Sequence, residues 1–201
     1  MSADGKIALP SRKQVRLSNK EDSKRVNDLR KNCDAILVGI GTIIEDNPKL
    51  TVKNTINTSI NPIRIVLDTK GRTPLESNVL NKEAKTIIAV GNKCKVNKLG
   101  NSEIIKCGNE KINIKKLIQK LSEKGIKNIL VEGGETVLWS FINENLFDQI
   151  NIFIASKIIG GEKTPTMAGG DGFYAETSIL KLSLKHVEKI GDGILLTYCK
   201  K

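Results

Sequence analysis

The sequence predicts an α/β domain built on a largely parallel sheet, and three observations lead to this fold class. Short apolar runs bounded by Gly, Pro, Asn or Asp are too uniformly apolar to have one wet face, which is typical of parallel strands. Other segments place apolar residues at the i, i+3, i+4, i+7 spacing of half-buried helices. Near the carboxyl terminus, Asp192-Gly193 between two strand-like runs indicates a hairpin. The sheet is therefore expected to be parallel early and antiparallel at its end.

Periodicity and turn residues place the individual elements. Ser18 followed by Glu21 has the spacing of a capping box and opens the first helix. Gly125 ends a later helix in the position that tolerates a left-handed backbone. The strands over 128–132 and 150–156, with the helix between them, are expected to form a β-α-β unit. In chain order we predict a helix over 18–32, strands over 35–40, 63–68 and 86–91, a helix over 114–121, a strand over 128–132, a helix over 135–145, and strands over 150–156, 180–189 and 194–199.

Composition limits the class of protein. No internal repeat, low-complexity tract or linker interrupts the 201 residues, so we predict a single domain over residues 1–201. An apolar content of 39% excludes a disordered chain. The longest nearly uninterrupted apolar run, Ala35 to Ile44, is about half the length needed to cross a bilayer. With no basic stretch and apolar core at its start, the chain is expected to be cytoplasmic and without contact to a membrane.

The net charge of +11 is compatible with a nucleic-acid surface, a site for phosphorylated small molecules or a lysine-rich solvated exterior. Lysines are spread over the whole length, and only seven aromatic residues could stack on bases. We therefore expect no nucleic-acid partner.

Metal and hydrolase sites are also not expected. Cys33, Cys94, Cys107 and Cys199 never form a C-x-x-C pair, and the only histidine is His186, so no zinc-ligand spacing can be assembled locally. The chain has no G-x-S-x-G motif and no cysteine near a histidine, which excludes triad hydrolase chemistry. Scattered single cysteines fit a reducing cytoplasm.

Two glycine-bearing turns follow predicted strands, where open α/β sheets bind ligands. Gly39-Ile40-Gly41-Thr42 lacks the third glycine and the acidic residue of a dinucleotide fingerprint. Glu132-Gly133-Gly134-Glu135-Thr136 lies between a buried strand and a helix start, where unpaired backbone N–H groups suit a phosphate, although a tight turn alone also accounts for the glycines. Glu132 favours a site, because a carboxylate at the end of an apolar strand must reach solvent, a partner or a ligand.

Five ordered blocks cover nearly the whole chain: Ser2–Ala8, Ile36–Thr42 with Glu45–Val52, Pro62–Asp68, Leu130–Gly134 and Lys157–Gly161. Together they resemble the riboflavin-biosynthesis reductases, a dihydrofolate-reductase-like family found as the C-terminal half of bacterial bifunctional deaminase-reductases and as free-standing enzymes. The resemblance implies a mixed, mostly parallel sheet flanked by helices, and a homodimer. It also implies reduction of the ribosyl group of a ribosylaminopyrimidine 5′-phosphate to a ribityl group by NADPH, with NADH as the alternative cofactor.

The resemblance also implies roles for individual residues. Thr42, Asp46 and Thr69 fall on cofactor positions, and the turn formed by Gly133, Gly134, Glu135 and Thr136 meets the pyrophosphate. Arg30, Leu50, Lys53 and Glu132 fall on substrate positions, and Asp4 and Lys6 border the substrate. Glu132 is also the catalytic candidate: whether it stabilises the iminium, binds the pyrimidine or does both is left open.

Some of these residues also have ordinary interpretations. Arg30 could be a solvated helix charge and Leu50 a core leucine. Lys53 stands where the bacterial pattern has arginine, so a forked phosphate contact would become a point-charge contact. Arg72 is inferred from the residues themselves: Thr69-Lys70-Gly71-Arg72 offers a hydroxyl, a close backbone and a guanidinium to the adenosine 2′-phosphate, and the alternative is an ordinary basic turn.

The implied chemistry needs no nucleophile. The N-glycoside opens to an imine, which accepts a hydride, while the protein aligns the reacting carbons and steadies developing charge. No zinc deaminase region is visible, which favours the free-standing type acting before deamination. The alternatives are the same reduction on the deaminated 5-amino-6-ribosylaminouracil 5′-phosphate, a dihydrofolate reductase with an acidic residue on its first long helix, and a basic nucleic-acid-binding domain.

The front of the chain departs from the family. Related chains have a full strand before the S-x-D-G-K motif, whereas Met1 already lies inside that motif. An interior strand hydrogen-bonds to both neighbours. We therefore expect that the chain as written lacks its first strand, that it expresses poorly, aggregates or binds cofactor weakly, and that an N-terminal extension of about ten residues reading as an apolar strand restores it.

Overall fold

The computed structural model describes residues 1–53 and 61–201. These residues group into two units, Val26–Gly134 and the combination of Met1–Arg25 with Glu135–Lys201. Among them no helix is long and apolar enough to cross a membrane. The expectation of a single domain over residues 1–201 stays a prediction.

The elements follow the predicted order with two additions, α2 and β4. In chain order they are α1 (Lys20–Lys31), β1 (Ala35–Gly39), α2 (Ile40–Asp46), β2 (Ile63–Leu67), β3 (Thr86–Val90), β4 (Ser102–Lys106), α3 (Ile114–Glu123), β5 (Ile129–Val131), α4 (Glu135–Asn143), β6 (Gln149–Ile154), β7 (Leu182–Ile190) and β8 (Gly193–Lys200). Short 3-10 turns cover Asn78–Leu80 and Glu176–Ser178.

The Val26–Gly134 unit contains a parallel sheet with the strand order β4-β3-β2-β1-β5. The central strands β1, β2 and β3 are buried along most of their length. This burial is what uniformly apolar runs require, because both faces of a parallel sheet are covered. The prediction of a mostly parallel sheet in an α/β fold is confirmed.

The other unit contains an antiparallel sheet with the order β6-β8-β7. Ile190 pairs with Gly193 across the tight turn, so the predicted C-terminal hairpin is confirmed. The predicted β-α-β unit is wrong, because β5 pairs with β1 whereas β6 pairs antiparallel with β8. The reason lies in β6 itself: exposed or half-buried Gln149 and Asn151 alternate with apolar residues, the pattern of an antiparallel strand with one wet face.

The start of α1 differs by one residue from the predicted capping box. The Asn19 Oδ1 atom accepts the backbone N–H of Asp22 at 2.8 Å, whereas the Ser18 hydroxyl donates to the Asp22 carboxylate. Asn19 also donates to the Ile190 carbonyl at 2.7 Å and to Asp192 at 2.8 Å. The Asn19 side chain therefore caps the helix and also holds the β7–β8 hairpin. It makes more hydrogen bonds than the predicted capping box would, so Asn19 is the cap.

The segment Gly39-Ile40-Gly41-Thr42 is not a turn, which corrects the sequence interpretation. β1 runs directly into α2, and Gly39 is the residue before the helix with a φ of −85°. Neither Gly39 nor Gly41 has a positive φ, so the glycines do not mark a left-handed bend here.

Ser2 lies beside β6 and forms a parallel bridge with Ala155. The Ala155 N–H donates to the Met1 carbonyl at 2.8 Å. The expectation about a first strand upstream of this segment stays a prediction.

Arg64 on β2 is fully buried and makes five hydrogen bonds. Its Nε donates to Thr86 Oγ1 at 2.9 Å, its Nη1 to the Asn78 carbonyl and Asn81 Oδ1, and its Nη2 to the carbonyls of Asn81 and Ala84. A guanidinium has five N–H donors, and every one is used. Burial lowers the pKa of Arg64 to about 10, so the group keeps its charge at neutral pH.

We predict that Arg64→Lys destabilises the fold. An ammonium has three donors, so at least two of the five acceptors lose their partner, at about 1–3 kcal/mol for each buried group. The free energy of unfolding, measured in urea, should fall by about 2–6 kcal/mol. Lys82→Ala at an exposed neighbouring position is the control and should stay within about 0.5 kcal/mol. Equal midpoints for Arg64→Lys and the parent would contradict the prediction.

Candidate active site

The site residues of the Val26–Gly134 unit lie at the carboxyl edge of its parallel sheet. Most of these residues follow β2, β1 or β5 in the chain. The three parallel strands are neighbours in the order β2-β1-β5, so their carboxyl ends meet at one edge. β1 leads into α2, β2 into the turn from Asp68 to Thr73, and β5 into Glu132. This edge is where open α/β sheets bind their ligands.

Arg30 and Glu132 form a two-pronged ion pair. Arg30 Nε donates to Glu132 Oε1 at 2.8 Å, and Arg30 Nη2 donates to Glu132 Oε2 at 2.6 Å. The two side chains are 18% and 21% exposed, so one edge of the pair remains accessible. Arg30 is therefore not a solvated helix charge, and the partner that Glu132 requires at the strand end is this guanidinium.

The pair changes the acid–base properties of its surroundings. Burial acts to lower the pKa of Arg30, but the hydrogen bonds and charge of Glu132 outweigh it and raise this pKa. Burial, and then the charge of Glu132, raise the pKa of the Cys33 thiol. A thiol with a raised pKa is a poor nucleophile, which agrees with a reaction that needs none.

The segment from Leu50 to Lys53 adjoins this pair. The Thr51 carbonyl accepts a hydrogen bond from Arg30 Nη1 at 3.1 Å. Leu50 is 2% exposed and packs in the core with a φ of +50°, an uncommon backbone conformation for a leucine. Leu50 is thus a core residue by its packing, and the side chain of Lys53 is exposed. The substrate roles expected for both stay predictions.

Helix α2 presents the two residues expected to contact the cofactor. Thr42 and Asp46 are four residues apart, so they lie on the same face of the helix. Both are half-buried. Asn47 ends the helix in the left-handed conformation and receives the backbone N–H of Asn78 on its Oδ1 atom at 2.8 Å.

Thr69 and Arg72 both lie in the turn after β2. Asp68 is fully buried, and its Oδ2 accepts the backbone N–H of Thr73 at 2.7 Å and the Thr73 hydroxyl at 2.8 Å. Its Oδ1 has no hydrogen-bond partner among the described residues and lies 3.9 Å from Arg72 Nε. The Arg72 side chain is 56% exposed, and Gly71 allows the turn with a φ of +68°. The carboxylate fixes the turn while the guanidinium faces solvent.

The expected pyrophosphate turn ends at the first residues of α4. A Cβ atom built on Gly134 would meet no described heavy atom within 4 Å, so the position leaves room for another group. Glu135 accepts a hydrogen bond from Arg12 Nη1 at 3.0 Å, so its negative charge is neutralised. Thr136 is exposed. Arg12 is a residue that the sequence interpretation missed, because nothing in the pattern links a loop arginine to a helix 123 positions away.

Asp4 and Lys6 belong to the other unit, where they shape its backbone. Asp4 Oδ2 accepts the Gly160 N–H at 2.7 Å, and Asp4 Oδ1 accepts the Ser2 hydroxyl at 2.6 Å and the Ile159 N–H at 3.1 Å. Lys6 forms an antiparallel bridge with Thr166. The Asp4 carboxylate thus holds the turn of the Lys157–Gly161 block.

Among the described residues, no three His, Cys, Asp or Glu side chains come together as metal ligands would. The arrangement that is present is a parallel sheet with a bidentate Arg–carboxylate pair and basic turns at its carboxyl edge. These features define an α/β enzyme domain suited to anionic ligands.

The comparison with protein families extends this class to a particular family. The model of the RibD C-terminal domain matches residues 1–196. The chain therefore belongs to the RibD C-terminal domain family.

Two archaeal relatives are similar over nearly their whole length. The 2,5-diamino-6-ribosylamino-4(3H)-pyrimidinone 5′-phosphate reductase of Archaeoglobus fulgidus is 38% identical, and the match covers 98% of this chain and 93% of that protein. The reductase of the same name from Methanothermobacter thermautotrophicus is 34% identical over 100% of this chain and 95% of that protein. The expectation of an oxidoreductase family of riboflavin biosynthesis is confirmed.

Solved structures share the fold. RibD of Acinetobacter baumannii superposes with a TM-score of 0.82 at 25% identity, covering all of this chain and 55% of that one, so this chain spans about half its length. The riboflavin biosynthesis reductase Rib7 of Saccharomyces cerevisiae has a TM-score of 0.76 at 22% identity, covering all of this chain and 86% of that one. The expected fold of the reductase family is thereby confirmed.

We predict that Asp4 contributes to stability in a pH-dependent way. The Ser2 hydroxyl, and next the Gly160 N–H, lower the pKa of Asp4 to about 2. A lowered pKa in the folded state means that the contribution is complete above about pH 4, the ordinary value, and is lost as the pH falls through about 2. Melting temperatures of Asp4→Asn and the parent should differ at neutral pH and converge towards pH 2. A difference that is constant across this range would contradict the role of the charge.

Proposed function

We propose that this chain catalyses the reduction of 2,5-diamino-6-ribosylaminopyrimidinone 5′-phosphate, converting its ribosyl group to a ribityl group with NADPH. The observation that carries the proposal is the Arg30–Glu132 pair beside the Leu50–Lys53 segment, at the carboxyl edge of the sheet. This edge offers the accessible side of a charged pair to a polar substrate, and the exposed Lys53 to its phosphate. The names of the two archaeal relatives support the same reaction.

The cofactor residues we propose are Thr42 and Asp46 on α2, Thr69 and Arg72 after β2, and Gly133, Gly134, Glu135 and Thr136 at the start of α4. The geometry after β2 favours NADPH over NADH. An acidic residue that prefers NADH must reach the ribose hydroxyls, but the Asp68 side chain is fully buried and its Oδ2 atom is bound to Thr73. The exposed guanidinium of Arg72 suits a 2′-phosphate.

On the substrate side, we assign Arg30 and Glu132 to the polar groups of the substrate, Leu50 to its apolar contact and Lys53 to its 5′-phosphate. Asp4 and Lys6 border the substrate in this proposal. The Asp4 carboxylate acts through the Ile159–Gly160 turn that it holds, because three donors already occupy its oxygens.

The reaction follows from these roles. Opening of the N-glycoside breaks the bond between C1′ and the ring oxygen, which keeps the electron pair and takes up a proton, and leaves a cationic imine whose carbon accepts the hydride. In this proposal the Glu132 carboxylate stabilises that charge while it keeps its bonds to Arg30. NADPH supplies the hydride. The protein contributes orientation of the two reacting carbons, which accounts for a large part of such rate enhancements.

We also propose a homodimer in a reducing compartment. Leu184 and Val187 on β7 are more than half exposed, which supports an apolar contact for a second copy. All four cysteines are free thiols, which supports the cytoplasm.

One assay tests the function against its alternatives. The purified chain is mixed with NADPH and, in parallel, with the diamino substrate, its deaminated form and dihydrofolate, and the loss of NADPH absorbance is followed. We expect turnover with the diamino substrate. Turnover with the deaminated form or with dihydrofolate instead would identify those alternatives. Salt-sensitive binding to nucleic acid with no turnover would identify the basic binding domain.

We predict that Glu132→Gln keeps the fold and loses most turnover. The neutral amide cannot stabilise a developing cation, and loss of one charge-stabilising group lowers kcat about 100-fold or more. Thermal unfolding and kcat are measured under saturating substrate. Glu110→Gln, the same change in an exposed pair with Lys93, is the control. Parent-like turnover of Glu132→Gln would contradict the assignment.

We predict that Arg72→Ala weakens NADPH binding selectively. Loss of a hydrogen-bonded guanidinium from a phosphate costs about 1.5–3 kcal/mol, which is about 10- to 150-fold in Kd. NADH lacks that phosphate, so its Kd should hardly change and serves as the internal control. Equal losses for both cofactors would place Arg72 elsewhere.

A further inference from the structure

Side chains fix the backbone from Thr51 to Lys53, which belongs to no helix or strand. Arg30 donates to the Thr51 carbonyl at 3.1 Å, and Asn61 Oδ1 accepts the Val52 N–H at 3.0 Å. The Lys53 N–H donates to Asn27 Oδ1 at 2.7 Å, and Asn27 Nδ2 approaches the Lys53 carbonyl at 3.4 Å. An irregular segment held in this way has a defined backbone, because its polar groups have found partners outside itself.

We propose that Asn27 is a positioning residue that acts through Lys53 and sets the recognition of the substrate phosphate. This inference rests on the proposed function, in which Lys53 binds the 5′-phosphate. The observation behind this inference is the placement of two residues on α1. Asn27 and Arg30 are three residues apart and lie on one face of the helix. The two residues of this face hold the backbone of the same segment at Lys53 and at Thr51.

Lysine needs such support more than arginine does. Its ammonium is a point charge on a flexible stem and cannot orient itself by a bidentate contact as a guanidinium does. Both side chains lose about 2 kcal/mol of rotamer freedom when they are immobilised. With an exposed side chain, Lys53 gains little orientation from packing. A backbone fixed by the short bond to Asn27 limits the space that the ammonium samples.

The helix supplies the rigidity that this role requires. Asn27 lies in the middle of α1, whose later turn carries Arg30. Both anchors therefore move as one body, so the position of Lys53 is fixed relative to the guanidinium that binds Glu132. A substrate that contacts the Arg30–Glu132 pair at one end then finds the lysine stem starting from a fixed backbone position, which restricts where the ammonium can meet a phosphate on the ribose chain.

The test compares Asn27→Ala with Lys53→Met and with the double variant. Binding is measured by calorimetry with the diamino substrate and with the same compound after removal of its phosphate, and KM and kcat are measured with NADPH. Asn27→Ala should raise Kd and KM for the phosphorylated substrate about three- to tenfold, the effect expected from the loss of one hydrogen bond, and kcat should stay within about twofold of the parent value. The dephosphorylated compound should bind to the variant and the parent alike. In the Lys53→Met background, Asn27→Ala should have no further effect.

The controls separate positioning from a general structural role. Asn32→Ala is the same substitution just after α1, where the Asn32 amide donates to the Asp28 carbonyl of its own helix, and it should leave Kd unchanged. Asn27→Ser is a second truncation, and the same result is expected from it. Equal weakening of both compounds by Asn27→Ala, or equal weakening in the Lys53→Met background, would overturn the proposal. A parent that turns over none of these substrates would instead refute the proposed function.

Discussion

The ion pair of Arg30 and Glu132 is the interaction on which the arrangement of the site depends. Glu132 follows directly after β5, and Arg30 lies on α1, so the pair ties a helix to the edge strand of the parallel sheet. The remaining terminal nitrogen of Arg30 binds the Thr51 carbonyl. One guanidinium therefore joins three elements. Truncating either side chain would leave the other without its partner in a partly buried place, where an unpaired charge is costly, whereas a glutamine at position 132 keeps an oxygen that can accept from Arg30.

Much of the framework could be predicted from the sequence because its strands are chemically uniform. β1, β2 and β3 are short, predominantly apolar runs between turn residues, with Arg64 as the charged exception on β2, and both faces of such runs must be buried. The α3 helix follows its period, and Gly125 takes a φ of +82° just past its end, as a C-terminal glycine does. In these elements local pattern and tertiary burial agree, so the sequence alone is sufficient.

The elements that were missed are those in which local signals are weak or misleading. Strand β4 reads Ser-Glu-Ile-Ile-Lys and lies at the edge of the sheet, where polar side chains reach water and the apolar run is short. Helix α2 contains Gly41, a residue that indicates a turn in isolation, yet the helix is held by burial of Ile40 and Ile43. The Arg30–Glu132 contact joins residues 102 positions apart and has no signature in the sequence. Long-range partners of this kind need the folded chain.

The acidic residues near the expected ligands show why residue type alone does not reveal function. Asp4 and Asp68 both stand in segments that resemble ligand-binding motifs, but each carboxylate accepts hydrogen bonds from the backbone of a turn. Irregular turns expose N–H groups that no helix or sheet satisfies, and a carboxylate is the strongest acceptor available to them. The acids are therefore used to build the turns. The neighbouring Arg72 keeps an exposed guanidinium, and Lys53 is likewise exposed. At Arg72, positive charge thus faces outward from a turn that the Asp68 carboxylate has fixed, an electrostatic arrangement that favours an anionic ligand.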